Sequence, residues 1–193
     1  MSLVKNVLRK RKDTVASIDF NELVDQHQKK IYNIAYRMTG NTEDAMDITQ
    51  EVFVKVFKNI KSFKGQSSLS TWVYRIAVNT CLDELRKKKN GKVSYMEDTE
   101  VETQLPLTYR YMNQENPERL FERSQLIKAI QKAILSLSDD HRTMIILRDI
   151  NGFTYQEIAD ILKCPLGSVK SKLSRARNEL RKKLINDREL LNG

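Results

Sequence analysis

Residues 154–184 read TYQEIADILKCPLGSVKSKLSRARNELRKKL, and this stretch decides the fold. Thr154 and Glu157 have the spacing of a capping box, in which each side chain satisfies the other's free backbone N–H. Ile158, Ala159 and Leu162 follow at helical spacing and predict one apolar stripe. Lys163, Cys164 and Pro165 end it, because Pro165 has no N–H with which to continue the ladder. Gly167 and Ser168 open a second helix. In it Val169, Leu173, Ala176 and Leu180 recur at spacings of 4, 3 and 4, the period of a buried helix side. Its other sides carry Lys170, Ser171, Lys172, Ser174, Arg175, Arg177, Arg181, Lys182 and Lys183, with Glu179 the only acid. A capped helix, a tight turn and a basic amphipathic helix make a helix-turn-helix pattern. A basic helix face can also be merely solvated, so the stretch by itself leaves DNA binding and plain solvation both open.

The composition narrows the choice. The chain has 193 residues, a net charge of +9 and a sequence pI near 9.5, which favours a polyanionic partner. No run approaches the ~18 apolar residues of a membrane span, so no membrane insertion is expected. The start, MSLVKNVLRKRKD, is basic and lacks a following apolar core, so it predicts a disordered basic arm in place of a secretory signal. Cys81, Cys164, His27 and His141 are scattered without ligand spacing. They are expected to be packing or surface residues in a reducing, cytosolic setting, with no metal or cofactor.

Working back to the start, Asp19 to Met38 reads as a helix, with Asp19 and Glu22 at its beginning and Gly40 at its end. Asn41 to Ile60 is a second, with Ala45, Ile48, Val52 and Val56 as its buried stripe. Asp44, Asp47 and Glu51 share a neighbouring face, and Glu43 to Glu51 holds four acids and no base. A helix N-terminus favours Glu43 and Asp44 but does not account for Glu51, more than two turns in. Such a face cannot lie on phosphate. It suits a basic protein surface, or a Mg²⁺ ion bound by carboxylates, which keeps a nuclease in play.

Residues 61–68, KSFKGQSS, form a polar loop whose Phe63 either tucks against the domain or offers a stacking platform. Leu69 to Lys89 is a third helix, with Leu69, Val73, Ile76, Ala77 and Thr80 facing inward. Trp72, Arg75, Asn79, Asp83 and Arg86 make a continuous stripe beside them. Amide and guanidinium forks read base edges, and aromatic planes hold unstacked bases, so the stripe is a candidate nucleic-acid surface. Its other reading is a core Trp72 beside a solvated face. Residues 91–116 lose apolar periodicity and turn acidic, the pattern of a flexible linker. Asn116-Pro117 then starts a helix with Ile127, Ile130, Ile134 and Leu137 apolar. Ser138 caps another, through about Asp149, with Met144, Ile145 and Leu147 apolar.

The expected organisation is all-α. A basic arm (1–17) precedes a helical domain (18–90), an acidic linker (91–116), a four-helix domain ending in the helix-turn-helix (117–185) and a fraying tail (186–193). There is no phosphate loop, nucleophile elbow or His/Cys constellation, so no enzyme is expected.

Taken together, the stretches AYRMTGNTEDAMDITQEVFVKVFKNIKSFKG, STWVYRIAVNTCLDELRKK, NPE and LSDDHRTMIILRDINGFTYQEIADILKCPLGSVKSKLSRARNELRKKL resemble the extracytoplasmic-function (ECF) type of bacterial RNA polymerase sigma factor. The resemblance implies a region 2 domain and a region 4 domain. It implies that Asp47, Gln50 and Glu51 bind the β′ clamp coiled coil of core polymerase, while region 4 meets the β flap. Phe63, Trp72, Arg75, Asn79, Asp83 and Arg86 would contact the single-stranded −10 element, with Asn79 and Phe63 around a flipped base. Lys170, Ser171, Ser174, Arg175 and Arg177 would contact the double-stranded −35 element; Ser174 departs from the larger residue of some relatives, which leaves its base preference open. It also implies a cytoplasmic protein under an anti-sigma partner, often anchored at the membrane. The alternative is a stand-alone helix-turn-helix regulator of duplex operators.

Overall fold

The computed structural model describes residues 19–90 and 117–191; the basic arm and the acidic linker expected from the sequence lie outside them. Helix α1 spans Phe20–Thr39, α2 Thr42–Asn59, and a single 3₁₀ turn, Ile60–Ser62, leads to α3, Leu69–Asn90. The C-terminal half comprises α4 (Pro117–Leu135), α5 (Asp139–Ile145), a π-helical extension Ile146–Ile150, α6 (Tyr155–Leu162) and α7 (Leu166–Leu191). No strand occurs among the described residues.

The ends of these helices are written locally. The Asp19 carboxylate accepts from the Asn21 N–H at 2.9 Å, and Asn41 caps α2 by accepting from the Asp44 N–H at 3.0 Å. Gly40 closes α1 in the left-handed region (φ 75°). Thr154 and Glu157 form the reciprocal capping box. Hydrogen bonds from Thr154 hold the Glu157 carboxyl below its ordinary value. Lys163 ends α6 at φ 50°, a conformation that non-glycine residues seldom adopt, and Pro165 accepts from Ser168 and Val169 to start α7. Helix α7 continues past Leu184 to Leu191, where the sequence suggested fraying.

The apolar stripes meet as their periods predict. Ala45, Ile48, Val52 and Val56 of α2 are buried, as are Val169, Leu173 and Ala176 of α7. In α6 the buried set is Ile158, Ala159 and Ile161; Leu162 is only partly covered. Helix α3 differs more. Besides Val73, Ala77 and Thr80 it buries Thr71, Tyr74, Val78 and Cys81, a second stripe at spacings that also fit a helix, while Leu69 and Ile76 are only half-buried. Helix α3 is therefore covered from two directions, by α1 and α2 and by α6. Burial pushes the Cys81 thiol up to about 12, so it is a packing residue.

A polar pair sits inside this packing. His27 Nδ1 and the Tyr74 hydroxyl are 2.8 Å apart, and with the imidazole neutral the hydroxyl donates to the ring. Burial first, then Lys30, lowers the His27 pKa, and burial raises that of Tyr74. Glu157 also faces the tyrosine. A depressed histidine pKa means the unfolded chain takes up a proton that the folded chain resists. The contribution is intact above the ordinary histidine value of 6.5 and is lost as pH falls through the folded value. Thermal unfolding of the wild type should therefore show a Tm that falls as pH drops below 6.5, and His27→Gln should flatten that dependence. An unchanged slope in the variant would remove His27 as its source.

Candidate functional site

Three surfaces carry the residues singled out by the sequence. On α2, Asp47 and Gln50 are exposed and Glu51 is half-exposed. Glu51 Oε1 lies 2.8 Å from Lys55 Nζ, and this hydrogen bond holds its carboxyl below the ordinary value. Lys55 Nζ also donates to Thr80 Oγ1 of α3 at 3.1 Å. Asp44 pairs with Lys88 at the end of α3. Asp44 and Glu51 are thus each tied to a lysine, and no cluster of acids or imidazoles able to hold a metal occurs among the described residues. The sequence reading missed what flanks the acids. Met46, Val54 and Phe57 stand exposed, Phe57 at 65%. They share a face with Gln50 at spacings a helical wheel could have revealed.

On α3 the structure brings some of the expected residues together and separates others. The Phe63 and Trp72 rings pack at 5.4 Å, tilted 49°, which makes Phe63 part of an aromatic pair at the helix start. Asn79 is exposed two turns further on, about 10 Å along the axis from Trp72. Asp83 and Arg86 pair with each other at 3.0 Å. Arg75 points away from both groups: its Nε and Nη2 donate to the Asp160 carbonyl of α6 at 3.1 and 2.5 Å.

On α7, Lys170, Ser171, Ser174 and Arg175 are exposed along one side, held there by the burial of Val169, Leu173 and Ala176 opposite. Ser171 donates to the Ser168 carbonyl at 3.1 Å. Arg177 is engaged differently. Its fork grips Asp149 with contacts of 3.0 and 2.5 Å, which raises its pKa and pins α7 to the π-helical segment. Lys172 and Asp140 add a second tie to α5 at 2.6 Å. Such partly exposed pairs contribute little to stability but fix the helix's angle.

The chain is similar to known proteins. Residues 23–91 match the family model Sigma-70 region 2, and residues 127–180 match Sigma-70, region 4. The ECF RNA polymerase sigma factor SigW of Bacillus subtilis (strain 168) is 41% identical over 168 residues, covering 86% of this chain and 88% of that protein. The ECF RNA polymerase sigma-E factor of Escherichia coli (strain K12) is 36% identical over 169 residues, covering 86% of each. Among solved structures, the sigma factor RpoE in complex with the anti-sigma factor NepR from Bartonella quintana superposes with a TM-score of 0.65. It is 26% identical and covers 86% of this chain and 96% of that one. CnrH in complex with the cytosolic domain of CnrY (TM-score 0.63, 22% identical, covering 93% and 97%) shares the fold. No helix among the described residues is long and apolar enough to cross a membrane. With both of its domains matched, and in the same order along the chain, this protein belongs to the ECF sigma factors of the sigma-70 family.

Proposed function

We propose that this sigma factor joins core RNA polymerase through α2, captures the single-stranded −10 element on α3, and places α7 in the major groove of the −35 element. The observation that carries this is the exposure of three chemically different faces on one chain. They are an acidic face around Asp47, Gln50 and Glu51, an exposed Asn79 with the half-buried Trp72 and Phe63 pair at the start of the same helix, and a basic face at Lys170, Ser171, Ser174 and Arg175. The acids suit a basic coiled coil, and Met46, Val54 and Phe57 add apolar area beside them, as at the core of a protein interface. Asn79 offers a donor and an acceptor to a flipped base, whose unstacking costs a few kcal/mol that pocket contacts offset. Asp83 and Arg86 border this surface as a pair, and Arg177 buttresses α7 from Asp149. No step is catalytic: the chain positions polymerase and holds the opened strand. It acts in the cytoplasm, under an anti-sigma partner that covers both domains.

Arg175→Ala should weaken −35 binding by the assembled holoenzyme by about 1–3 kcal/mol if its fork reads a guanine. Electrophoretic mobility shifts on native and substituted −35 sites check this. Equal weakening on every sequence would reassign Arg175 to phosphate. A stand-alone operator-binding regulator would instead bind duplex tightly without polymerase, which the same gel reads directly.

A further inference from the structure

The basic arm at the start of the sequence has no role yet, and one face of α2 has no cover among the described residues. Glu43, Met46, Asp47, Gln50, Val54 and Phe57 form a single stripe on α2, opposite the buried Ala45, Ile48, Val52 and Val56. Met46, Val54 and Phe57 are 47%, 50% and 65% exposed, and Glu43 and Asp47 form no ion pair among the described residues. Large apolar side chains grouped in water beside unpaired acids mark a docking surface for something amphipathic and basic. Residues 3–12, LVKNVLRKRK, have that character. Leu3, Val4, Val7 and Leu8 recur at the spacing of one helix side, and the stretch holds five cations and no acid. The chain also arrives in the right place. Phe20, the first residue of α1, packs edge-to-face on Phe57 at 5.2 Å, so the arm joins α1 at the C-terminal end of the stripe. Glu43 stands roughly 21 Å from that end along α2. Residues 13–18 can cross roughly 20 Å when extended, enough to carry Lys12 to the Glu43 end.

We propose that residues 3–12 dock on this stripe of α2 as an amphipathic helix running antiparallel to it. Arg9, Lys10 and Lys12 then lie beside Glu43 and Asp47, while Leu3, Val4 and Val7 cover Val54 and Phe57. The opposite direction would set the same cations against the exposed Lys58 and Lys61 at the other end of the stripe. The tether keeps the arm at high local concentration, so docking needs little intrinsic affinity. One consequence rests on the assignment of this face to core polymerase: the arm occupies it in the free chain, and polymerase displaces the arm on binding. If the docked form outweighs the undocked form by about ten to one, apparent affinity for polymerase falls about tenfold.

Val4→Asp with Val7→Asp in the full-length protein removes the apolar side of the arm and leaves α2 untouched. In wild type, a zero-length carbodiimide cross-link, mapped by peptide mass, should join Lys10 or Lys12 to Glu43 or Asp47. The link should vanish in the variant and on addition of core polymerase. Titration of core polymerase with fluorescently labelled protein should show the variant binding about tenfold tighter than wild type. Absence of the link in wild type would overturn the proposal. So would a link formed between copies, read from a mixture of isotopically heavy and light chains, since the stripe would then hold a second molecule. Weaker polymerase binding by the variant would also overturn it, because the arm would be a polymerase contact in its own right. A link within one chain that survives saturating polymerase, with variant and wild type binding equally, would support docking and count instead against the assignment of this face to polymerase.

Discussion

Replacing Asp47 and Glu51 together by lysine should abolish association with core polymerase while leaving the chain folded. Both side chains lie off the buried stripe of α2, whose Ala45, Ile48, Val52 and Val56 are at most 2% exposed. Lysine is as good a helix former as the acids it replaces. The change removes two negative charges and adds two positive ones on a face proposed to meet a basic coiled coil. Like charges juxtaposed across an interface cost several kcal/mol, a loss of about a thousandfold or more in affinity. The fold loses less. Glu51 gives up its pair with Lys55, a partly exposed contact of the kind that contributes about 1 kcal/mol at most. Pull-down with purified core polymerase and circular dichroism on the same sample separate binding from folding. Association within about tenfold of wild type in a folded variant would place the polymerase contact elsewhere.

Arg142→Met should destabilise the protein by about 3 kcal/mol or more. Arg142 is 8% exposed, and its guanidinium serves three carbonyls, those of Met38, Leu135 and Leu137. The Leu135 carbonyl is the last of α4, where a helix's final carbonyls have no partner within it, and Leu137 lies just beyond the helix end. Removing the fork leaves buried acceptors unmet, each costing about 1–3 kcal/mol. Its Nε finds no partner, and burial lowers the arginine's pKa, so the residue is costly to bury and is held by geometry. Arg142→Lys should recover only part of the loss, since a point charge cannot span three acceptors as a planar fork does. Urea unfolding followed by circular dichroism measures both variants. A loss under about 1 kcal/mol for Arg142→Met would show that water replaces the fork.

Much of this architecture is legible before any coordinates. The capping box at Thr154 and Glu157 forms because its partners are three residues apart. Asn41 and Gly40 end their helices for equally local reasons. The acidic face of α2 follows from the helical period alone. Arg177 shows the limit. Its neighbours in sequence suggested a DNA contact, but the carboxylate that grips it stands 28 residues away. The second buried stripe of α3, at Thr71, Tyr74, Val78 and Cys81, was visible as a period but not as an interface.

The sequence by itself determined an all-α chain of two domains, the positions of its helix ends, and the residue types on three exposed faces. Each of those depends on spacings of a few residues and on side-chain chemistry that acts within a turn of helix. Only the tertiary structure decided that Arg75 is held by Asp160, that Gln131 is buried against Arg37, and that Lys55 links Glu51 to Thr80. Periodicity says that a face is apolar or charged, and it cannot say which distant helix will cover it. Hydrogen bonds between residues 25, 85 or 94 apart depend on how the helices pack, and packing is a property of the whole chain.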